Sequence, residues 1–447
     1  MKKRSINEDW AATYTGWFII FLVFCVYWIL NPIIGENLNL KSYWPSFTFG
    51  NSEQFLKIFH YTNLLKILWV YVVFGIFVII AGVIAGKANK LTTSKFISQT
   101  LAGYTVIFLL TILANIISGN VFLKAWGLET VIFCLFLGLI ISNFFKVPEW
   151  LTKTLNSEFY IKIGLILLGA TILFKDIMQS GLKGMIQALV VILAVWNFCF
   201  WVCKKMKIDR ELSVMLSSGV SICGVSAAVA TAGAINGDKK KLSFVVSLVL
   251  IVAVPMIIIL PFLAKILGFS QALAGAWFGG TIDTTGAVVA SGEFFGEEAL
   301  KTSTIVKFSQ NVLLGVAAFV ISLYWSMTGQ GDREERPSPK VIWDRFPKFV
   351  LGFIIASMVF SFIVPKATAD ITVPFIKKMQ GFWFALAFTS IGLETNFKQL
   401  FNKSNMRATW AFLIAQTFNI FFTLLIAWLL FADGYLIIWN FLVSLFS

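Results

Sequence analysis

Long apolar runs separated by short, mostly basic connections dominate the chain. Runs long enough to cross a hydrocarbon core of roughly 30 Å occupy 14–30, 67–85, 97–117, 127–145, 159–174 and 184–202. Further spans are expected near 244–263, 302–325, 349–364, 375–393 and 409–431. The segment 435–447 is apolar but only about 13 residues long, short for an untilted crossing, and its placement stays open. The pattern predicts an all-α polytopic membrane protein with about 11 to 13 membrane segments.

Two stretches break this texture. At 217–235 the chain reads SSGVSICGVSAAVATAGAI, and at 278–292 it reads FGGTIDTTGAVVASG, so small residues replace the Leu and Phe used elsewhere. Something other than lipid must face them, because irregular backbone at membrane depth is tolerated only where it is buried in protein or lines a cavity. Basic residues flank the first stretch on both sides, with Arg210 before it and Lys239, Lys240 and Lys241 after it. It is therefore either a re-entrant segment or a broken helix whose crossing overrides the charge of its loops.

Charge follows the same topology. Lys87, Lys90 and Lys95, then Lys146 and Lys153, then Lys204, Lys205, Lys207 and Arg210 fall in every second connection, which places the N-terminus in the cytoplasm. Glu293, Glu297 and Glu298 mark an external loop, and the polar connection 328–344 an internal one. With 58% hydrophobic and only 13% charged residues, the net charge of +14 reports membrane orientation and not nucleic-acid binding. The five cysteines fall within or beside apolar runs and imply no disulfide framework. The first run lacks a small-residue cleavage site and is expected to be a retained helix.

The chain also echoes itself. LLGATILFKDI around Gly169 and TSIGLETNFKQL around Gly392 share a glycine followed five and six positions later by Phe-Lys, and LGLIIS from Leu137 matches LGFIIAS from Leu351. The charge pattern makes the members of each pair run in opposite directions, the trace of an inverted-topology repeat with both broken segments at a shared midplane site.

In the first stretch Gly219, Ser221, Cys223, Gly224 and Ser226 interrupt the helix, and a restart at Val225 aims free N–H groups into the membrane. In the second, Gly279 and Gly280 precede Thr281, Asp283, Thr284 and Thr285, and a restart near Asp283 does the same. Two helix N-termini present donors and partial positive charge to an anion, although small residues also serve plain helix packing. Asp283 is both a candidate N-cap and a candidate proton or coupling-ion site, since an intramembrane carboxylate has to be protonated, paired or solvated. Lys307 in the following span is its expected partner or a substrate contact, with Gln310 and Asn311 one turn on. Glu394 is a further candidate coupling residue that equally fits a helix end facing water. His60, the only histidine, sits in an external loop without a partner of its kind.

SICGVSAAVATAGAI from Ser221, GGTIDTTGAVVASG from Gly279, TSTIVKFSQN from Thr302 and the Gly-Leu pair at Gly392 resemble the sulfate exporter family, UPF0324-type bacterial membrane proteins of uncharacterised activity. That family is itself similar to the bile-acid/sodium symporter and cation/proton antiporter superfamily. The resemblance covers roughly 128–431. It implies a transport core and a scaffold domain, elevator movement, and an anionic substrate. Members of the family usually carry His at the position of Asp283, Arg at that of Gln310 and a neutral residue at that of Glu394. The more acidic site found here suits a zwitterion, a cation, or an anion accompanied by H⁺ or Na⁺ better than bare sulfate.

The reading that follows is a secondary active transporter of a small anionic or zwitterionic solute, with no cofactor and with H⁺ or Na⁺ as coupling ion. Substrate contacts are expected from Ser221, Cys223, Gly224, Ser226, Thr281, Thr284, Thr285, Lys307, Gln310 and Asn311, and ion coupling from Asp283 and Glu394. The alternatives are a passive channel or a ligand-binding membrane sensor, with an intramembrane enzyme behind them, since neither HExxH nor GxSxG occurs. An N-terminal extension (1–119) is expected to precede a first repeat with both broken segments (120–325), a cytoplasmic loop (326–346) and the rest of the second repeat (347–447). The setting is the bacterial inner membrane, with no metal and no nucleic acid, and a homodimer is one candidate assembly.

Overall fold

The computed structural model describes residues 8–35, 38–84, 93–125, 129–152, 154–327, 340–395, 397 and 406–432. Among them the chain is helical, and its only β pairing is an isolated bridge between Phe49 and Asn120. The segment 435–447, most of the loop 328–344, and Lys87, Lys90, Lys153, Lys398 and Lys403 lie outside the described residues.

The first helices in chain order are α1 (Glu8–Ile34), α2 (Ser52–Ile58), α3 (Tyr61–Ile84), α4 (Thr93–Ser118), α5 (Val121–Ala125), α6 (Thr130–Phe144), α7 (Glu149–Thr152) and α8 (Ser157–Gly169). Then come α9 (Phe174–Lys205), α10 (Arg210–Ser218), α11 (Gly224–Ala234), α12 (Lys239–Ile266), α13 (Gln271–Thr281), α14 (Thr285–Phe295), α15 (Glu297–Met327) and α16 (Lys340–Arg345). The last are α17 (Lys348–Phe362), α18 (Lys366–Glu394) and α19 (Met406–Phe431). Among the described residues, 8 helical stretches are long and apolar enough to cross a membrane. This is a polytopic all-helical membrane protein.

The chain divides into two units, each built from separate parts of the sequence. One comprises Met1–Phe174 and Lys348–Asn396, the other Lys175–Pro347 and Phe397–Ser447.

In the first unit, α18 packs on α6 and α8, and α8 packs on α1 and α17. An aromatic core fills it: Trp44 meets Phe74, Phe375 and Phe382 edge-on, and Phe74 stacks on Trp383 at 4.7 Å between centroids. The echoed glycines are points of close backbone approach in it. A Cβ on Gly392 would lie 2.4 Å from Leu135 O, and one on Gly169 would lie 2.4 Å from Phe353 O. Serines then close the freed carbonyls reciprocally. Ser142 Oγ on α6 lies 2.7 Å from Thr395 O and 2.9 Å from Gly392 O at the end of α18, sharing its proton. Ser357 Oγ on α17 donates to Ile172 O past the end of α8 at 2.6 Å. Ile172 and Thr395 each lie three residues beyond the motif glycine.

In the second unit, α15 packs against α11, α13 and α14, α12 against α14, and α13 against α19. Burial marks what is central here. In an 18-residue apolar window of Arg210–Ala234 83% of the residues are buried, and in one of Glu297–Trp325 67%, against 28% in one of Met406–Phe431. The small-residue helix and the helix carrying Lys307 are thus enclosed by the more apolar ones, as their composition requires.

Candidate functional site

The first interruption forms where serine hydroxyls compete with the helix ladder. Ser217 Oγ donates to Ser213 O and Ser221 Oγ to Ser217 O, bonds that loosen and bend a helix. After α10, which Asp209 caps through Leu212 N, the backbone widens into a π-helical turn, Gly219–Cys223. The chain then passes through Gly224 at φ +32 and restarts as α11. The N-cap residue of α11, Cys223, makes no side-chain cap bond to its first turn.

The second interruption is shorter. Helix α13 ends at Thr281, Ile282 is extended at φ −77 and ψ 131, and α14 restarts at Thr285. The N-cap is Thr284, whose Oγ1 accepts from Ala287 N at 3.2 Å. Asp283 is therefore free of that structural duty. Its side chain is only 2% exposed, its Oδ2 has no hydrogen-bond partner, and no cation among the described residues stands within ion-pair distance of it.

The two restarts meet each other. A Cβ on Gly224 would sit 3.0 Å from Asp283 O and 2.5 Å from Val249 Cγ1, and Gly224 also has a positive φ that side chains disfavour, so the crossing requires glycine there. Cys223 Sγ lies 3.8 Å from Thr285 Oγ1.

One face of α15 holds the crossing together. Lys307 Nζ donates to Ile222 O and Ile282 O, both at 2.8 Å, and to Gln310 Oε1 at 2.9 Å. Its three protons thus reach one carbonyl from each interruption and one neighbouring amide, and none remains for a further acceptor. Gln310 Nε2 donates to Gly280 O at 3.0 Å, and Asn311 Nδ2 to Thr285 Oγ1 at 3.2 Å. The spacing of 307, 310 and 311 puts all three on a single helix face.

Further amides, which sequence reasoning passed over, complete the site. Gln416 and Asn419 on α19 both donate to Thr281 O, at 3.0 and 3.1 Å, and Asn419 also to Val220 O. Thr423 Oγ1 donates to Asn419 Oδ1, and Gln187 Nε2 on α9 donates to Ala276 O. The signal was present, because Gln187, Gln416 and Asn419 are uncharged polar residues inside otherwise apolar spans, where such groups mark functional interiors.

Of the residues expected at the site, Cys223, Gly224, Thr281, Asp283, Thr284, Thr285, Lys307, Gln310 and Asn311 are gathered here. Ser221 is buried and bonded within its own helix, and Ser226 lies on an exposed face of α11. Glu394 belongs to the other unit, where Oε2 accepts from Ser157 Oγ at 2.6 Å and Oε1 from Ser157 N at 3.2 Å, capping α8.

Fold and site together define a polytopic membrane protein with two interrupted helices clasped around a buried, unpaired carboxyl. A family model described as conserved hypothetical protein 698 matches residues 102–411, and the chain belongs to that family. It is 40% identical over 369 residues to a UPF0324 membrane protein of Rhodopirellula baltica, covering 80% of this chain and 68% of the relative. A UPF0324 membrane protein of Nitratidesulfovibrio vulgaris is 36% identical over 348 residues, covering 75% of this chain and 60% of the relative, so the chain spans less than two thirds of that protein. A relative from Nitrosomonas europaea is 30% identical over 361 residues, covering 68% and 72%. No solved structure matches the chain.

Proposed function

We propose that the chain is a secondary active transporter of a small anionic or zwitterionic solute, coupled to H⁺ or Na⁺ at Asp283. The observation that carries this reading is the meeting of two interrupted helices at Gly224 and Asp283, with a carboxyl there that is buried and unpartnered. A buried carboxyl without a partner is costly unless a proton or cation neutralises it. Helix interruptions facing a common site are the construction that ion-coupled carriers use.

Several finer features belong to the same proposal. The unit with the interrupted helices is the transport core and the other the scaffold, moving as an elevator. The reciprocal serine closures at Thr395 and Ile172 support an inverted-topology repeat through the echoed glycines. The sulfate exporter label and the link to the symporter and antiporter superfamily fit this architecture, as do about 11 to 13 membrane segments, a bacterial inner-membrane setting and a cytoplasmic N-terminus. The protein is then a carrier and not an enzyme.

Counterflow in proteoliposomes tests the reading. Exchange of a small solute is expected in the wild type, and Asp283→Asn should abolish its pH or Na⁺ dependence while the protein stays folded. No exchange across a broad solute panel, or unchanged coupling in Asp283→Asn, would overturn it.

A further inference from the structure

We propose that the ligand held at the crossing is a zwitterion, a small molecule carrying both an acidic group and an ammonium group. Calling that ligand the cargo rests on the transporter reading; its chemistry rests on the unpaired groups of the site.

The side-chain atoms of this site without any partner are oxygens. Thr281 Oγ1, Asp283 Oδ2, Asn311 Oδ1 and Gln416 Oε1 are all buried without a hydrogen-bond partner, on residues at most 3% exposed. Each lies in, or one hydrogen bond away from, the interruption at 281–285, because Gln416 Nε2 donates to Thr281 O and Asn311 Nδ2 to Thr285 Oγ1. Gln187 Oε1, on the amide that reaches Ala276 O, adds another. In this unit every described buried side-chain nitrogen has at least one partner, while the amides of Gln187, Gln310 and Asn311 each keep one N–H beyond the bond they make. A fully deprotonated oxyanion, which only accepts, matches none of the amide and carboxyl oxygens among them, whereas an ammonium group brings three N–H donors to them. The site already solvates one ammonium in this way, since Lys307 is held by Ile222 O, Ile282 O and Gln310 Oε1.

Backbone donors lie on the other interruption. Helix α11 starts at Gly224 without a side-chain cap, and its first-turn N–H groups carry the partial positive end of the helix. Gly224 is in contact with Asp283, so the donor end and the acceptor end adjoin. Formal charge agrees. With Asp283 ionised and no coupling ion bound, Asp283 and Lys307 contribute one charge of each sign, so a ligand with no net charge leaves the enclosed site neutral, and a dianion does not.

The test reads binding without flux. Thermal stability of the purified full-length chain is measured at fixed pH and ionic strength in choline chloride. The probes are glycine, β-alanine and γ-aminobutyrate, against methylammonium chloride, choline acetate and choline sulfate. At least one zwitterion should raise Tm by several degrees, more than methylammonium and acetate supplied together, because bound ligand stabilises the native state. Asp283→Asn should weaken that zwitterion about tenfold, a loss of one hydrogen bond to a charged group. Asn311→Asp keeps its contact with Thr285, whose hydroxyl then donates, and should tighten methylammonium binding; this gain is readable even if Asp283→Asn misfolds. A shift with sulfate or acetate alone that equals the zwitterions, or no shift with any zwitterion, would overturn the inference. A zwitterion shift without counterflow retains the inference and refutes the transporter reading; sulfate counterflow without a zwitterion shift does the reverse.

Discussion

The two units treat the same problem in opposite ways. Each brings helix ends together on small residues and so frees backbone carbonyls inside the protein. In the first unit, serines 142 and 357 close those carbonyls from neighbouring helices, and glycines 169 and 392 leave no space for a ligand. In the second, Lys307 and the amides of α9, α15 and α19 close the carbonyls, but every one of those amides then has its other end to satisfy. Gln310 and Asn419 find partners, and Gln187, Asn311 and Gln416 do not. A hydroxyl that donates to a carbonyl leaves only weak residual demand, whereas an amide in the same role leaves a strong acceptor unpaired. Small residues at helix ends are packing in one unit and the proposed binding site in the other, and the partner side chains set the difference.

The contrast can be broken most severely at the glycines. Gly392→Ala should remove the folded protein, a loss of more than about 3 kcal/mol, because the added methyl meets a backbone oxygen that cannot move aside. Size-exclusion profiles of detergent-purified protein check this, and a well-folded variant would show that the closure of the first unit is loose. Lys307→Met comes next. Leaving two carbonyls and Gln310 Oε1 without a donor should cost about 2–4 kcal/mol, partly offset by no longer burying a charge, and thermal unfolding reads it. An unchanged Tm would mean that the crossing does not depend on its ammonium. The smallest effect belongs to the serines. Ser142→Ala and Ser357→Ala should each cost about 0.6–1.5 kcal/mol and add within ~0.5 kcal/mol in the double variant, with binding at the crossing untouched. A large non-additive loss would show that the two closures act as one.

Local texture made the crossing legible. The small-residue stretches could only be interruptions or packing surfaces, and a face holding Lys307, Gln310 and Asn311 is fixed by helical spacing. What escaped was long-range. Gln416 reaches Thr281 across 135 residues of chain, and nothing in either segment names the other. Glu394 looked equivalent to Asp283 because both are acidic residues beside glycine motifs, yet it caps Ser157 in the other unit, 237 residues away. The cap at the second interruption was equally ambiguous, since Asp283 and Thr284 are adjacent and both suit the position; the backbone turn gave it to Thr284. The division into two units was hidden for the same reason, as each is assembled from distant parts of the chain.

Lys307 also has a mechanical meaning. One ammonium grips the carbonyls of Ile222 and Ile282, so α11 and α14 are fastened to α15 by a three-way rivet of charge-assisted bonds. Pulling either restart away from the other would strip a buried charge of its ligands, which is far costlier than bending a loop. The crossing is therefore expected to stay together as one block in any movement of the helices around it.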